Sequence, residues 1–326
     1  TEALYHGTNP GNLTLHGQAV RYVRHALLAL ANGVERLAAQ GCLSDCSDDY
    51  RWSNWGCVGF TFRDPEFNPK PSYAMFAWLT QVLDRAWYAG RVETGSTSLH
   101  ALDFVRPDGS RVYPLWVVRG RQEVTLTVQG APTVYDPFGN RIAAEARDGR
   151  LTLSVTDTPI YLTAARMTGV AARRPVEIPR PAGTTLLDFE DPALLRTVET
   201  PSPILDAAWD YPRFKGRFKA DPVTEDGATA LRVELLPDDD PRRLCQRYVE
   251  FALARPRALP GRPTALTARV KGNGGWGRLM FELTDARGRV WNSSGNQYPG
   301  STNSSDNKGD SYVSFDGWQT MTIALP

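Results

Sequence analysis

Carboxylates and aromatic rings crowd one polar stretch of this chain, where Asp45, Asp48, Asp49, Tyr50, Trp52 and Trp55 fall within a single segment. Indole rings stack on the C–H faces of a ligand as they do on other apolar surfaces, and they pack a loop equally well. The aspartates either reach a ligand or form a solvated acidic loop. Cys42, Cys46 and Cys57 lie in the same stretch and Cys245 stands apart. Three thiols without a paired CxxC leave three readings open: buried or free thiols, one local disulfide, or a zinc site short of its usual four ligands. His16, His25 and His100 show no metal spacing. Towards the C-terminus the aromatics are Trp209, Tyr211, Trp276, Trp291, Tyr298 and Trp318. Most rings on a β domain are core, but Trp276 within Gly274-Gly275-Trp276-Gly277 and Tyr298 within a polar loop are expected at the surface.

The chain has 326 residues, with 37 Lys+Arg against 36 Asp+Glu and a formal charge of +1. That balance gives no electrostatic footprint for nucleic acid. With 41% hydrophobic and 22% charged residues the composition is globular, and wholesale disorder is excluded. The length suffices for two or three domains. No apolar run reaches the ~18–20 residues of a membrane span: Ala26 to Ala31 is flanked by Arg24, His25 and Asn32. The chain starts at Thr1 without the basic, apolar and small-residue order of a signal peptide. Sequons at Asn12, Asn292 and Asn303 are short enough to arise by chance.

Periodicity divides the chain. Residues 1–92 are helical in their clearest parts. Ala19, Val23, Ala26, Leu27 and Leu30 form one stripe over residues 15–32, with Asn32-Gly33 as the stop. After Pro69 and Pro71, the residues Met75, Phe76, Leu79, Val82, Leu83 and Ala86 predict a second helix ending by Gly90. Gly33 to Gln40 is a short strand candidate between them, so the order is that of part of an α/β unit. Residues 93–165 change to a period of two, as in Val124, Leu126, Val128 and Leu151, Leu153, Val155. Turns at Pro107-Asp108-Gly109, Pro137-Phe138-Gly139-Asn140 and Asp148-Gly149 punctuate an antiparallel sheet or small sandwich. Residues 166–183, with Pro175, Pro179 and Pro181 among arginines, read as a linker. Residues 184–326 are again β, with candidates such as Leu186 to Glu190 and Ala230 to Leu235, and a hairpin signal at Asp285-Ala286-Arg287-Gly288. Their spacing suggests a jelly roll. The stretch Asn292 to Asp310 is rich in Ser, Asn and Gly.

Several motifs occur in a telling order: Thr1-Glu2, a helix, the strand Gly33 to Gln40, Gly56-Cys57-Val58-Gly59-Phe60, and Lys70-Pro71-Ser72-Tyr73 opening a helix. This resembles the last quarter of a retaining (β/α)8-barrel glycoside hydrolase of the large clan whose nucleophile is a Glu at the tip of the seventh strand. Val134-Tyr135-Asp136-Pro137-Phe138-Gly139-Asn140 and Thr158-Pro159-Ile160-Tyr161-Leu162 are similar to the small β-sandwich that packs beside such barrels. The resemblance covers about residues 1 to 165, and its specificity lies in order and spacing.

The resemblance implies a partial barrel, then a β-sandwich, then a galactose-binding-like jelly roll, and it makes Glu2 the nucleophile. Two carboxyl groups ~5–5.5 Å apart are needed, one attacking the anomeric carbon and one protonating the leaving oxygen. Tyr5 and His6 are then expected on the loop above the barrel, with Asp45, Trp52 and Trp55 as further substrate contacts. Two departures are visible. Ala38-Ala39-Gln40 stand where many clan members carry an aromatic, and the acid/base on the fourth strand lies outside this sequence. A whole barrel needs ~250 residues, so the chain is expected to be an internal fragment missing the N-terminal barrel half, and to hydrolyse little or nothing alone. The third region is similar to a carbohydrate-binding jelly roll, for which Trp276 and Tyr298 are binding candidates. Asp188 and Glu190 are suitably placed for the structural calcium such domains often hold. No catalytic cofactor is implied, the partner is carbohydrate, and the parent is expected to be secreted or on the cell surface. The rival reading is a non-catalytic carbohydrate-binding or adhesion protein.

Overall fold

A computed structural model describes residues 2–3, 14–39, 43–44, 59–63, 66–172, 182–198, 214–237, 247–273, 277–292, 312–313 and 315–325. The chain divides into two units. One comprises Thr1–Pro179, Ala268–Leu279 and Asn307–Met321, and the other Arg180–Thr267, Met280–Asp306 and Thr322–Pro326. Most described residues with regular structure are in strands.

The first unit begins with strand β1 (Glu2–Ala3), helix α1 (Leu15–Ala31) and strand β2 (Ala38–Ala39). Thr14 caps α1, its Oγ1 accepting from Gly17 N at 3.0 Å. Gly33 ends it in the left-handed region at φ 75°. Ala19, Val20, Val23, Ala26 and Leu27 are buried, but Leu30, placed by spacing on the same stripe, is 44% exposed. Of the strand candidate Gly33 to Gln40, only Ala38 and Ala39 pair within the described residues.

Helix α2 (Pro71–Val82) starts with proline in its first turn, where no backbone donor is missed. It stops well before Gly90. Arg106 Nε and Nη2 donate to Val82 O at 3.0 and 2.6 Å, satisfying a terminal carbonyl, and Arg85 turns the chain at φ 52°. The residues beyond become strand β3 (Trp87–Arg91), followed by β4 (Leu99–Val105), β5 (Arg111–Val117), β6 (Arg121–Tyr135), β7 (Arg141–Ile142), β8 (Arg150–Thr156) and β9 (Ile160–Ala172). These make a seven-stranded sheet of order β3-β4-β5-β9-β6-β7, with β8 also on β6. Every pairing in it is antiparallel.

Alternation sends β4 and β5 side chains to two faces. Leu99, Ala101, Leu115 and Val117 join Leu126, Leu151 and Leu162 in one cluster. Leu102, Phe104, Val112 and Trp116 join the apolar faces of α1 and α2 in the other. Register shifts in β6 opposite β9, between Thr127 and Val128 and between Gly130 and Thr133, curl the sheet around the first cluster. A further shift falls in β3 between Tyr88 and Gly90. The turn Asp136 to Asn140 closes as its residue types predict, with Asp136 Oδ1 accepting from Phe138 N and Asn140 N at 2.8 and 2.9 Å.

Two elements cross the boundaries drawn from sequence. β3 lies before residue 92 yet forms an edge of the sheet. β9 runs to Ala172, taking in the first residues of the stretch read as a linker, because Val170 and Ala172 pack on the first core cluster.

The second unit contains a short 3-10 turn, Pro192–Leu194. Its strands are β10 (Leu195–Thr197), β11 (Phe214–Lys215), β12 (Phe218–Glu225), β13 (Ala228–Leu235), β14 (Arg247–Tyr248) and β15 (Phe251–Leu253). Along the chain there follow β16 (Ala265–Asn273), β17 (Gly277–Arg278), β18 (Glu282–Thr284), β19 (Val290–Asn292), β20 (Tyr312–Val313) and β21 (Asp316–Ala324), of which β17, β20 and the greater part of β16 and β21 belong to the first unit. The described strands from β10 onward form two-stranded pairs: β10 with β15, β11 with β14, β12 with β13, β16 with β21, β17 with β20 and β18 with β19. Asp285 closes the β18–β19 hairpin, its carboxyl held down to about 2 chiefly by the Arg289 backbone amide. Leu186 to Glu190 does not form the expected strand. Glu190 N instead donates to Asp188 Oδ1 at 3.2 Å, bending the chain.

Candidate functional site

β1 and β2 pair in parallel, Glu2 opposite Ala38 and Ala3 opposite Ala39. A parallel pair cannot be closed by a tight turn and needs a crossover, which α1 supplies. The short chain between Gly33 and Ala38 then delivers β2 beside β1. Glu2 therefore lies on the first strand of a β-α-β unit, with small residues opposite it.

Beyond β2 the backbone folds back on itself. Leu43 O accepts from Phe60 N and Thr61 N at 2.9 and 3.0 Å, and Ser44 bridges Thr61 in parallel. Thr61 also bridges Pro69, Phe62 N donates to Asn68 O at 2.8 Å, and Lys70 N donates to Phe60 O at 2.9 Å. The Phe60 ring sits 5.1 Å from Tyr22 of α1 and 5.3 Å from Phe76 of α2, anchoring this hairpin to both helices. Lys70 is 1% exposed, with its ammonium 5.3 Å from the centroid of the Phe62 ring. A buried ammonium is tolerated only with compensating partners, and a ring face supplies one.

The helix–sheet interface carries a second polar feature. His100 stacks flat on Trp116, centroids 4.7 Å apart at an interplanar angle of 1°. Their strands place them directly opposite each other. Burial, with smaller contributions from the Arg91 and Arg24 charges, lowers the His100 pKa to about 4, so the ring is neutral at pH 7. Arg24 Nη1 donates to Val118 O at 3.3 Å, and His16 Nε2 lies 3.0 Å from Thr158 Oγ1, so α1 touches the sheet through polar contacts at two points.

Of the site residues expected from sequence, Tyr5, His6, Asp45, Trp52, Trp55, Trp276 and Tyr298 lie outside the described residues, as do Asp48, Asp49 and all four cysteines. Glu2 is placed by its backbone in β1. Asp188 and Glu190 are both exposed, and among the described residues no three His, Cys, Asp or Glu gather in a metal-binding group. Sequence reasoning missed the burial of Lys70, whose position before Pro71 marks only a helix start. It also missed the His100–Trp116 stack, although the turn at Pro107-Asp108-Gly109 centres a β4–β5 hairpin whose register sets residue 100 opposite residue 116. One carboxylate at a strand end can attack or accept a proton; a double displacement at a sugar needs a second to protonate the leaving group.

No protein-family model matches the chain, and no curated protein matches it. Similar solved structures include a family 39 glycoside hydrolase from the gut symbiont Bacteroides cellulosilyticus WH2. It is 20% identical, over 50% of this chain and 33% of that one, with a TM-score of 0.44. Another is the catalytic domain of GH30 xylanase C from Talaromyces cellulolyticus, 12% identical, over 51% of this chain and 40% of that one, with a TM-score of 0.33. The chain thus spans a third of the first and two fifths of the second. No helix among the described residues is long and apolar enough to cross a membrane.

Proposed function

We propose that this chain is part of a retaining glycoside hydrolase that cleaves O-glycosidic bonds of a poly- or oligosaccharide, with Glu2 as its nucleophile. The observation that carries the reading is the parallel β1-α1-β2 unit, with Glu2 on its first strand. Strands of a (β/α)8 barrel converge at their C-terminal ends, where reacting carboxylates must sit. The Lys70-Pro71 helix start follows in the order the resemblance gives.

In the proposed mechanism a Glu2 carboxylate oxygen bonds to the anomeric carbon. The glycosidic C–O bond breaks as an acid/base carboxyl elsewhere in the barrel protonates the leaving oxygen. Water then adds to the anomeric carbon, giving up a proton to that acid/base and releasing Glu2. Tyr5, His6, Asp45, Trp52 and Trp55 contact the sugar. Trp276 and Tyr298, in the C-terminal β region, bind carbohydrate. The whole protein acts outside the cell or on its surface and needs no catalytic cofactor. The present chain, holding one carboxylate of the pair, has little or no activity alone.

The test is to express the uninterrupted reading frame containing this chain, with and without Glu2→Gln, and to assay a panel of glycosides while following product anomers by NMR. The expected result is hydrolysis with retained configuration that falls by roughly three orders of magnitude or more in the variant. Full activity in Glu2→Gln overturns the assignment. Sugar binding by residues 184–326 without any hydrolysis by the parent replaces it with the adhesion reading.

A further inference from the structure

Residues 268–279 and 307–321 belong to the first unit, although the rest of the C-terminal region does not. Their described contacts converge on the loop between β3 and β4. Asp316, the first residue of β21, is held through both carboxylate oxygens. Ser96 Oγ donates to Oδ2, and Thr97 Oγ1 donates to Oδ1 at 2.6 Å. Ser96 Oγ is itself oriented by Leu99 N at 3.1 Å and Ser98 N at 3.3 Å. Thr97 Oγ1 also lies 3.4 Å from Asn273 O, at the end of β16.

Beside this pair of hydrogen bonds, Phe315 is 1% exposed, and the Arg119 guanidinium lies 5.9 Å over its ring. Position 272 must be glycine here. A Cβ on it would stand 2.2 Å from Phe315 O and 2.7 Å from the ring, inside any real contact. Gln319 and Met321, further along β21, are buried as well. The loop that receives Asp316 is in turn part of the sheet and helix layer. Val118 N donates to Ser98 O at 2.9 Å, and Arg24 of α1 reaches Val118 O.

We infer that residues 268–273 of β16 and 316–321 of β21 form a strap latched to the β3–β4 loop by Asp316, so that these segments fold with the seven-stranded sheet and not as part of a separable C-terminal module. The charged acceptor makes each hydroxyl bond stronger than a neutral one. Removing it takes away the charged acceptor that Ser96 and Thr97 share, leaving only the longer contacts to Ser98 Oγ and Asn273 O, and opens the cover over Phe315. The inference stands independently of the glycosidase reading.

Amide hydrogen exchange on the full chain tests it. In the unaltered protein the amides of residues 315–321 exchange with the protection of β4 and β5. In Asp316→Ala they exchange on the order of tenfold faster or more, while β12 and β13 are unchanged. Asp316→Asn, which keeps one acceptor oxygen, is intermediate. The pair Ser96→Ala with Thr97→Val accelerates the same amides, and adding Asp316→Ala to it contributes little more, since all three variants remove one interaction. If Asp316→Ala fails to fold, the hydroxyl pair gives the answer alone. Unchanged exchange at residues 315–321 in the hydroxyl pair overturns the latch, as does exchange of those residues together with β12 and β13 in the unaltered chain.

Discussion

The seven-stranded sheet and the paired strands of the second unit have similar β-rich sequences and different interiors. Among the described residues every buried apolar side chain belongs to the first unit. β5 is buried along almost its whole length, whereas the last four residues of β13 are all exposed. In the second unit Phe189, Leu195, Phe218, Leu231 and Phe251 line an open cleft of about 230 Å³. The difference lies in layering. A sheet that curls on its own apolar face and carries two helices on the other removes both faces from water, and an isolated two-stranded ribbon cannot. The described first unit accordingly holds the main source of stability.

Four substitutions or conditions break or sharpen that contrast. Trp116→Ala empties the helix–sheet interface and should cost about 3–5 kcal/mol in denaturant unfolding; a loss below 1 kcal/mol would remove the sheet as the stabilising layer. Gly139→Ala should cost about 2–3 kcal/mol, because a Cβ there meets the Trp78 ring at 2.6 Å and φ is +88°. A crystal structure of that variant should show Trp78 displaced from the turn. The third test is acid. His100 titrates near 6.5 when unfolded and near 4 when folded, so only the unfolded chain gains the proton between those values. The His100 contribution to stability should therefore be intact above pH 6.5 and fall by roughly 3 kcal/mol towards pH 4. His100→Gln should flatten that part of the pH profile, and an unchanged slope would contradict the neutral stacked ring. Smallest of all, Val233→Ala in the second unit should change stability by less than about 0.5 kcal/mol, since the side chain is 42% exposed.

Sequence reading reached what is local. The stripe Ala19, Val23, Ala26 and Leu27 and the stop at Asn32-Gly33 define α1 because those signals lie within a few turns of one another. The same logic carried α2 too far, since the carbonyl of its last residue is taken by Arg106, which follows β4 and whose approach no periodicity encodes. The short strand beside β1 was legible as a candidate, but its two-residue length was not: extent depends on which backbone groups find a partner. Lys70 was legible as part of a helix start and illegible as a buried cation, because its burial depends on how the segment carrying Phe62 folds back beside it. For Glu2 the sequence supplied a role only through resemblance. The structure adds a parallel neighbour, and the partner carboxylate that would complete the chemistry has no counterpart in the local pattern.

The shift between Tyr88 and Gly90 in β3 bears on how molecules of this protein meet one another. Among the described residues β3 is an outer strand of the sheet, and the backbone groups of such a strand on the side away from its neighbour are a template on which a strand from another copy can add. The register break interrupts that row, and Gly90 at φ 157° lets the backbone swing through the irregularity without a side-chain clash. A strand so broken offers no long straight ledge for edge-to-edge growth. The sheet that holds the main core thus carries, on its exposed margin, a safeguard against fibrous self-association.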